Sequence, residues 1–155
     1  MRIERNKNIW DFHLLGNPIV ITTNTVVKKN RSAVMEAGIA KQAADKYPDL
    51  PKIYGEFLEK TPLLSRSKLF HFGLARLILF PTKYAWRNPS DLNLIEINAK
   101  ALVELTNTTD FKLKYGEKDI YLPALGCNLG RLKWEQVNPI ISPVLDDRFV
   151  VILND

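Results

Sequence analysis

The sequence predicts an α/β fold in which helices cover both faces of a mostly parallel or mixed central sheet. Two observations carry this prediction. Short apolar runs at 19–21, 76–80, 120–123 and 149–153 show little polar alternation, the pattern of strands buried on both faces. Between them lie stretches with apolar residues three and four apart, the period of helices that pack one face on a sheet. The resulting order is strand, helix, strand, helix, strand, helix, strand, with a hairpin inserted.

The first strand runs from Ile19 through Ile21 into Thr22, Thr23 and Asn24, which places Asn24 at its carboxyl end, where ligands of parallel sheets collect. A helix is expected over 33–46, with Val34, Ile39 and Ala43 among its apolar positions and Tyr47-Pro48 ending it, because a residue before proline avoids the α region. A shorter helix around Ile53, Tyr54, Phe57 and Leu58 is expected to break at Thr61-Pro62. Alternation over 68–72 and the apolar run 76–80 read as two strands turning near Gly73, with Phe80, Pro81, Thr82 and Lys83 leaving the second strand in a loop.

The clearest helix is opened by Ser90 as cap and Asp91 as first-turn acid, with Leu94, Ile95, Ala101, Leu102 and Leu105 on one face. Residues 110–118 read as a polar connector and 120–123 as a buried strand that runs into a glycine-bearing loop. Residues 134–137 are expected to form only a turn, with Asn138 as cap, Pro139 at the first position of a last helix and Pro143 kinking or shortening it. Residues 149–153 close the sheet.

With 155 residues the chain is expected to be a single domain over 1–155 with one core. It is 46% hydrophobic and 25% charged, ordinary for a globular protein, and no apolar run approaches the roughly 20 residues of a membrane span. The charged start MRIERNKN and the single cysteine, Cys127, lead us to expect a cytoplasmic, reducing setting. A net charge of +5 favours phosphorylated or polyanionic partners without naming one.

Three loops leave strands at their carboxyl ends. Asn24 offers a donor and an acceptor suited to sugar hydroxyls, and Lys83 supplies a cation, or an amine nucleophile if burial or another cation lowers its pKa. Gly126 and Gly130 allow close backbone approach to a ligand. The amides that open the helix near Gly38 suit a phosphate or diphosphate. His13 and His71 lie in dissimilar contexts, Cys127 reads as a small buried filler, and no HExxH, CxxC, GxSxG or GxxxxGK[ST] pattern occurs. Neither a metal nor a cofactor is expected.

The three segments TTNTVVKKNRSAVMEAGIAKQA, FPTKYAW and PALGCNLGRLKWEQVNPI, in this order, resemble the macro domain family of three-layer α/β/α ADP-ribose-binding modules with a central mixed sheet. The likeness covers nearly the whole chain. It is strongest toward the branch containing the terminal ADP-ribose protein glycohydrolase and the DNA ADP-ribosyl glycohydrolase antitoxins, with their VMGxGIAxQ-like and GCGxGGLxW-like loops. The resemblance implies that Asp11 accepts from the adenine amino group beside the Phe12 backbone and that Asn24 holds the distal ribose. It further implies that Met35, Glu36, Ala37, Gly38 and Ile39, after Val34, wrap the diphosphate, and that Gly126, Cys127, Asn128, Leu129, Gly130 and Arg131 close over diphosphate and ribose. Lys83 matches the lysine that, in the glycohydrolases, attacks the anomeric carbon.

Three positions depart from the pattern. Glu36 and Asn128 stand where the family usually has glycine, and Gly130 matches the aspartate that resolves the lysine adduct in the protein glycohydrolase. The expected function is ADP-ribose binding with hydrolysis of an ADP-ribosyl linkage on DNA or protein, by a monomer away from membranes. The alternatives are an ADP-ribose 1''-phosphate phosphatase and a non-catalytic ADP-ribose reader. Direct nucleic-acid binding through Lys28, Lys29 and Arg31 ranks last.

Overall fold

The computed structural model describes residues 1–61 and 67–155. Among them, strands β1 (Arg2–Arg5), β2 (Ile19–Asn24), β3 (Phe70–Phe72), β4 (Leu77–Lys83), β5 (Ile120–Pro123) and β6 (Phe149–Leu153) form one sheet in the order β1-β6-β5-β2-β4-β3. All neighbours run parallel except β3, which is antiparallel to β4. The helices are α1 (Ile9–Leu14), α2 (Gly38–Lys46), α3 (Leu50–Lys60), α4 (Leu92–Thr106), α5 (Thr109–Tyr115) and α6 (Trp134–Ile141).

The apolar runs of the inner strands are continuous because each face of the sheet has its own core. Ile19, Ile21, Leu77, Leu79, Val150 and Ile152 point to one side, where they meet Ile9 and Trp10 of α1, Ala40 and Ala43 of α2, and Leu50, Tyr54 and Leu58 of α3. Val20, Ile78, Phe80, Phe149, Val151 and Leu153 point to the other, against Ile95, Ala99 and Leu102 of α4, Phe111 and Tyr115 of α5, and Val137 and Ile141 of α6. Successive strand residues alternate between the two clusters, as the two-residue period of a strand requires. The result is a three-layer α/β/α fold. Among the described residues no helix is long and apolar enough to cross a membrane.

Several local expectations are corrected. Residues 2–5 form an edge strand whose side chains are all exposed, so the charged start carries no periodic signal, and β6 supplies its pairing. Residues 33–37 are not helical: Ala33 bridges Val27, Val34 N donates to Val26 O at 3.1 Å, and α2 begins at Gly38 with an extended Ala37 as cap. Asp91 is itself the cap of α4, accepting from Leu94 N at 3.0 Å, and Ser90 is buried one residue earlier.

The connector over 110–118 is mostly α5, which Thr108 caps and which buries Phe111 and Tyr115 one turn apart. Residues 134–141 form one helix with Pro139 inside it. The buried pair Val137 and Ile141 holds this helix to the core despite the backbone hydrogen bond that proline cannot donate. The expected break at Pro62 lies outside the described residues.

Strand β4 does not stop at Phe80 but continues through Pro81 to Lys83. Its partner β3 ends opposite Leu79, so beyond that point the β3 side of β4 is an edge where a proline is tolerated. The fully buried Asn98 donates from Nδ2 to Pro81 O at 2.9 Å and satisfies that carbonyl. Since β2, β4, β5 and β6 are parallel, their carboxyl ends share one edge of the sheet. Connections from β2 and β5 diverge there, which opens a crevice at a topological switch point.

Candidate active site

That crevice is a groove of about 1670 Å³, open to solvent and bordered by residues from five of the six strand ends. Asn24, Glu36, Ala37, Gly38, Ile39, Lys83, Gly126, Cys127, Asn128, Leu129, Gly130 and Arg131 all line it. Asp11, Phe12 and Met35 do not. The wall reaches Ile9 and Trp10, and Asp11 lies just beyond, exposed in the first turn of α1. The Phe12 ring is stacked on Tyr121 with centroids 3.9 Å apart, and Met35 is 4% exposed in the core. Burial alternates over 33–36, with Ala33 and Met35 buried and Val34 and Glu36 more exposed, so Met35 turns inward where Glu36 turns out.

Asn24 and Lys83 meet through an irregularity of the sheet. Thr23 pairs with Pro81, but Asn24 pairs with Lys83, so the register skips Thr82. A bulge of this kind re-aims side chains and ends pairing. Asn24 is 7% exposed, and its amide organises the loop that follows: Nδ2 donates to Val34 O at 3.2 Å and Oδ1 accepts from Val26 N at 3.0 Å. One N–H and one lone pair of the amide are left over for a ligand. Burial and, secondarily, the Arg131 charge hold the Lys83 ammonium below its ordinary pKa, and among the described residues it has no carboxylate partner.

The skipped Thr82 anchors the second loop. Its hydroxyl accepts from Ser90 Oγ at 3.2 Å and its carbonyl accepts from Asp91 N at 2.8 Å, while Ser90 N donates to Gly130 O at 2.8 Å. Ser90 thereby staples the end of β4 to the loop after β5. Two glycines permit this closeness. Gly126 has φ +73° with Ser90 Cβ 2.9 Å from where its own Cβ would be, and a Cβ on Gly130 would lie 2.1 Å from Ser90 Oγ and 2.5 Å from Gly126 O. Arg131 Nη2 donates to Arg87 O at 2.8 Å and ties this loop to the turn after β4.

Electrostatically the groove is mixed but basic. Glu36 pairs with Lys28 and Asp155 with Arg5, both at the surface. Half-burial, then Glu135, pushes the Cys127 thiol up, and its Sγ points to Leu125 O at 3.5 Å, so it stays a protonated filler rather than a thiolate. The sequence reading missed the walls built by 5–10 and 152–155, and also Trp86, Arg87, Lys133 and Glu135. A signal existed for some of them: a closing strand parallel to its neighbours delivers its end to the same edge. Trp86, three residues after Lys83, could have been sought in the same loop.

No family model matches the chain. It is 31% identical over 139 residues to the "DNA ADP-ribosyl glycohydrolase" of Thermus aquaticus, a match covering 86% of this chain and 36% of that protein. Among solved structures, "Thermosipho africanus DarTG in complex with ADP-ribose" is similar with a TM-score of 0.72 and 26% identity, over 100% of this chain and 42% of that one. "Macrodomain of Thermus aquaticus DarG" is similar with a TM-score of 0.69 and 28% identity, over 99% of this chain and 97% of that one. The chain spans about a third of the length of the curated relatives it matches. A solved macrodomain is thus matched along almost the entire chain, and the fold is that of a macro domain similar to the DarG macrodomains.

Proposed function

We propose that this chain binds ADP-ribose in the groove and hydrolyses an ADP-ribosyl linkage on DNA. The observation that carries the reading is the pairing of Asn24 with Lys83, a lysine whose charge is disfavoured, on the floor of one groove. The names of the similar proteins support it, one as a DNA ADP-ribosyl glycohydrolase and one as a complex with ADP-ribose. We further read residues 1–155 as one macro domain that acts as a monomer in the cytoplasm.

In this reading the adenine lies toward Ile9 and Trp10, with exposed Asp11 accepting from its amino group beside the Phe12 backbone. The diphosphate lies between residues 36–39, where α2 opens with unpaired amides, and residues 126–131. Asn24 hydrogen-bonds the distal ribose with the remaining capacity of its amide. Neutral Lys83 Nζ attacks the anomeric carbon, the bond to the DNA breaks, and the bonding pair departs with the DNA, which takes up a proton. Water then adds to the anomeric carbon and releases the lysine. The net reaction consumes one water and yields ADP-ribose and unmodified DNA.

Turnover of ADP-ribosylated DNA, ADP-ribosylated protein and ADP-ribose 1''-phosphate by wild type, Asn24→Ala and Lys83→Ala tests this. Release of ADP-ribose from DNA that is lost in Lys83→Ala is the expected result, and full activity in that variant rejects the nucleophile. Preference for the 1''-phosphate makes the chain a phosphatase. A reader without turnover is the second reading, favoured by Gly130: wedged against Ser90, it offers no carboxylate to resolve a lysine adduct. Calorimetric binding of ADP-ribose with no reaction on any of the three substrates selects it.

A further inference from the structure

The groove is larger than the roughly 300–1,000 Å³ of a typical small-molecule site, and its outer lip differs from its floor. Trp86 lines it with 57% of its surface exposed, and Leu129 faces it from the second loop with 58% exposed, whereas Trp10 on the inner wall is 8% exposed. An indole left open beside a cavity is unusual for a residue that packs well elsewhere. The backbone turn that carries it is held in place. Asn88 N donates to Ala85 O at 3.1 Å to close the turn that carries Trp86, and the Arg131 guanidinium bonds Arg87 O to join the two lips.

The charges around this ring are lopsided. Lys83, Arg87, Arg131 and Lys133 all line the groove, and Glu135 is the lining acid nearest Arg131 and Lys133 in sequence. Of the other lining acids, Glu36 and Asp155 are already paired. An exposed aromatic face among arginines and lysines is the combination that holds single-stranded nucleic acid: cations follow the phosphates, and the ring stacks on a base. A base inside a duplex has both faces occupied, so the ring selects strands whose bases are unstacked.

We propose that Trp86, with Arg87 and Arg131, forms a stacking platform for the single-stranded DNA that flanks the ADP-ribosylated nucleotide. This rests on the reading of the groove given above and adds that the enzyme grips the strand as well as the ADP-ribose. Lys28, Lys29 and Arg31, the basic cluster of the first loop, are not part of this lip, and Lys28 is engaged by Glu36.

The experiment measures, by fluorescence anisotropy, binding of an unmodified single strand of about 12 nucleotides and of its duplex to wild type, Trp86→Ala and Arg87→Gln. Calorimetry with ADP-ribose runs on the same three proteins. The single strand is expected to bind wild type at least ~10-fold tighter than the duplex, and Trp86→Ala to weaken it by about 10-fold without changing the salt slope. Arg87→Gln is expected to reduce that slope by about one. ADP-ribose affinity is expected to change by less than ~2-fold in both variants, against the ~10-fold stacking loss. Equal binding of strand and duplex, or a Trp86→Ala protein that binds the strand like wild type while ADP-ribose still binds, overturns the platform alone. Failure of wild type to bind ADP-ribose overturns the underlying reading as well.

Discussion

Asn24 and Lys83 are ladder partners only because Thr82 is skipped, and Thr82 in turn is held by Ser90. One backbone irregularity thus brings an amide and an amine to the same floor. Asn24→Ala and Lys83→Ala are each expected to slow ADP-ribose release at least ~100-fold, and the double variant to be little slower than the worse single one, since groups acting on one sugar are not additive. Only Asn24→Ala should also lower the urea midpoint, because it breaks two hydrogen bonds of the following loop, each contributing roughly 0.5–1.5 kcal/mol. Turnover assays and urea melts on all four proteins check both statements.

The rate should rise with pH. The proposed attack needs a neutral Lys83, whose pKa is pulled down by burial and then by Arg131, so the ascending limb should lie below the ordinary lysine value of 10.5. Arg131→Gln removes the second cause, and the limb should move to higher pH. A pH profile of kcat for both proteins measures this, and a limb that stays in place removes Arg131 from the tuning of Lys83.

Glu36 holds a negative charge beside the amides that open α2, and its partner Lys28 offsets that charge in part. Glu36→Gly frees Lys28 and removes the repulsion of a diphosphate. Exposed charge pairs contribute up to ~1 kcal/mol, so ADP-ribose affinity should rise about two- to five-fold. Calorimetry at low and high salt reads the effect, which should shrink as salt increases.

Gly130 has no room for a side chain. Ser90 Oγ and Gly126 O would lie 2.1 and 2.5 Å from a Cβ there. Gly130→Ala should destabilise by roughly 1–3 kcal/mol as an overpacked site and lower Tm by about 2–4 °C per kcal/mol. Gly130→Asp, which brings in the carboxylate of the protein glycohydrolase, should fare no better. Thermal melts of both variants decide this.

Acid should weaken the fold before its carboxylates titrate. His13, with Nε2 2.6 Å from Ala75 O, and His71, with Nε2 2.7 Å from Tyr115 Oη, are both held below the ordinary 6.5, first by burial. A base with a depressed folded pKa is neutral in the native state and takes up its proton on unfolding. Its contribution is therefore intact above 6.5 and lost as pH falls from there through the folded value. Urea midpoints should drop between pH 7 and 5, and less so in a His13→Asn, His71→Asn double variant.

What local sequence could determine was the set of inner strands and the loops after them. Residues buried on both faces of a sheet must be apolar without alternation, so β2, β4, β5 and β6 were legible from their side chains, as was the periodic face of α4. Edge strand β1 was not legible, because its four residues are exposed and its pairing comes from β6, at the far end of the chain. Helix α5 was lost to lysines, and Pro139 led to a last helix expected from 139 rather than 134, although Phe111 with Tyr115 and Val137 with Ile141 hold the two helices to the core. Only the tertiary structure decided that Met35 turns inward and Glu36 outward, that Trp86 stands open on the lip, and that Asn24 sits opposite Lys83. These outcomes depend on strand register and on contacts between segments far apart in the chain, and such pairings leave no periodic trace in either segment alone.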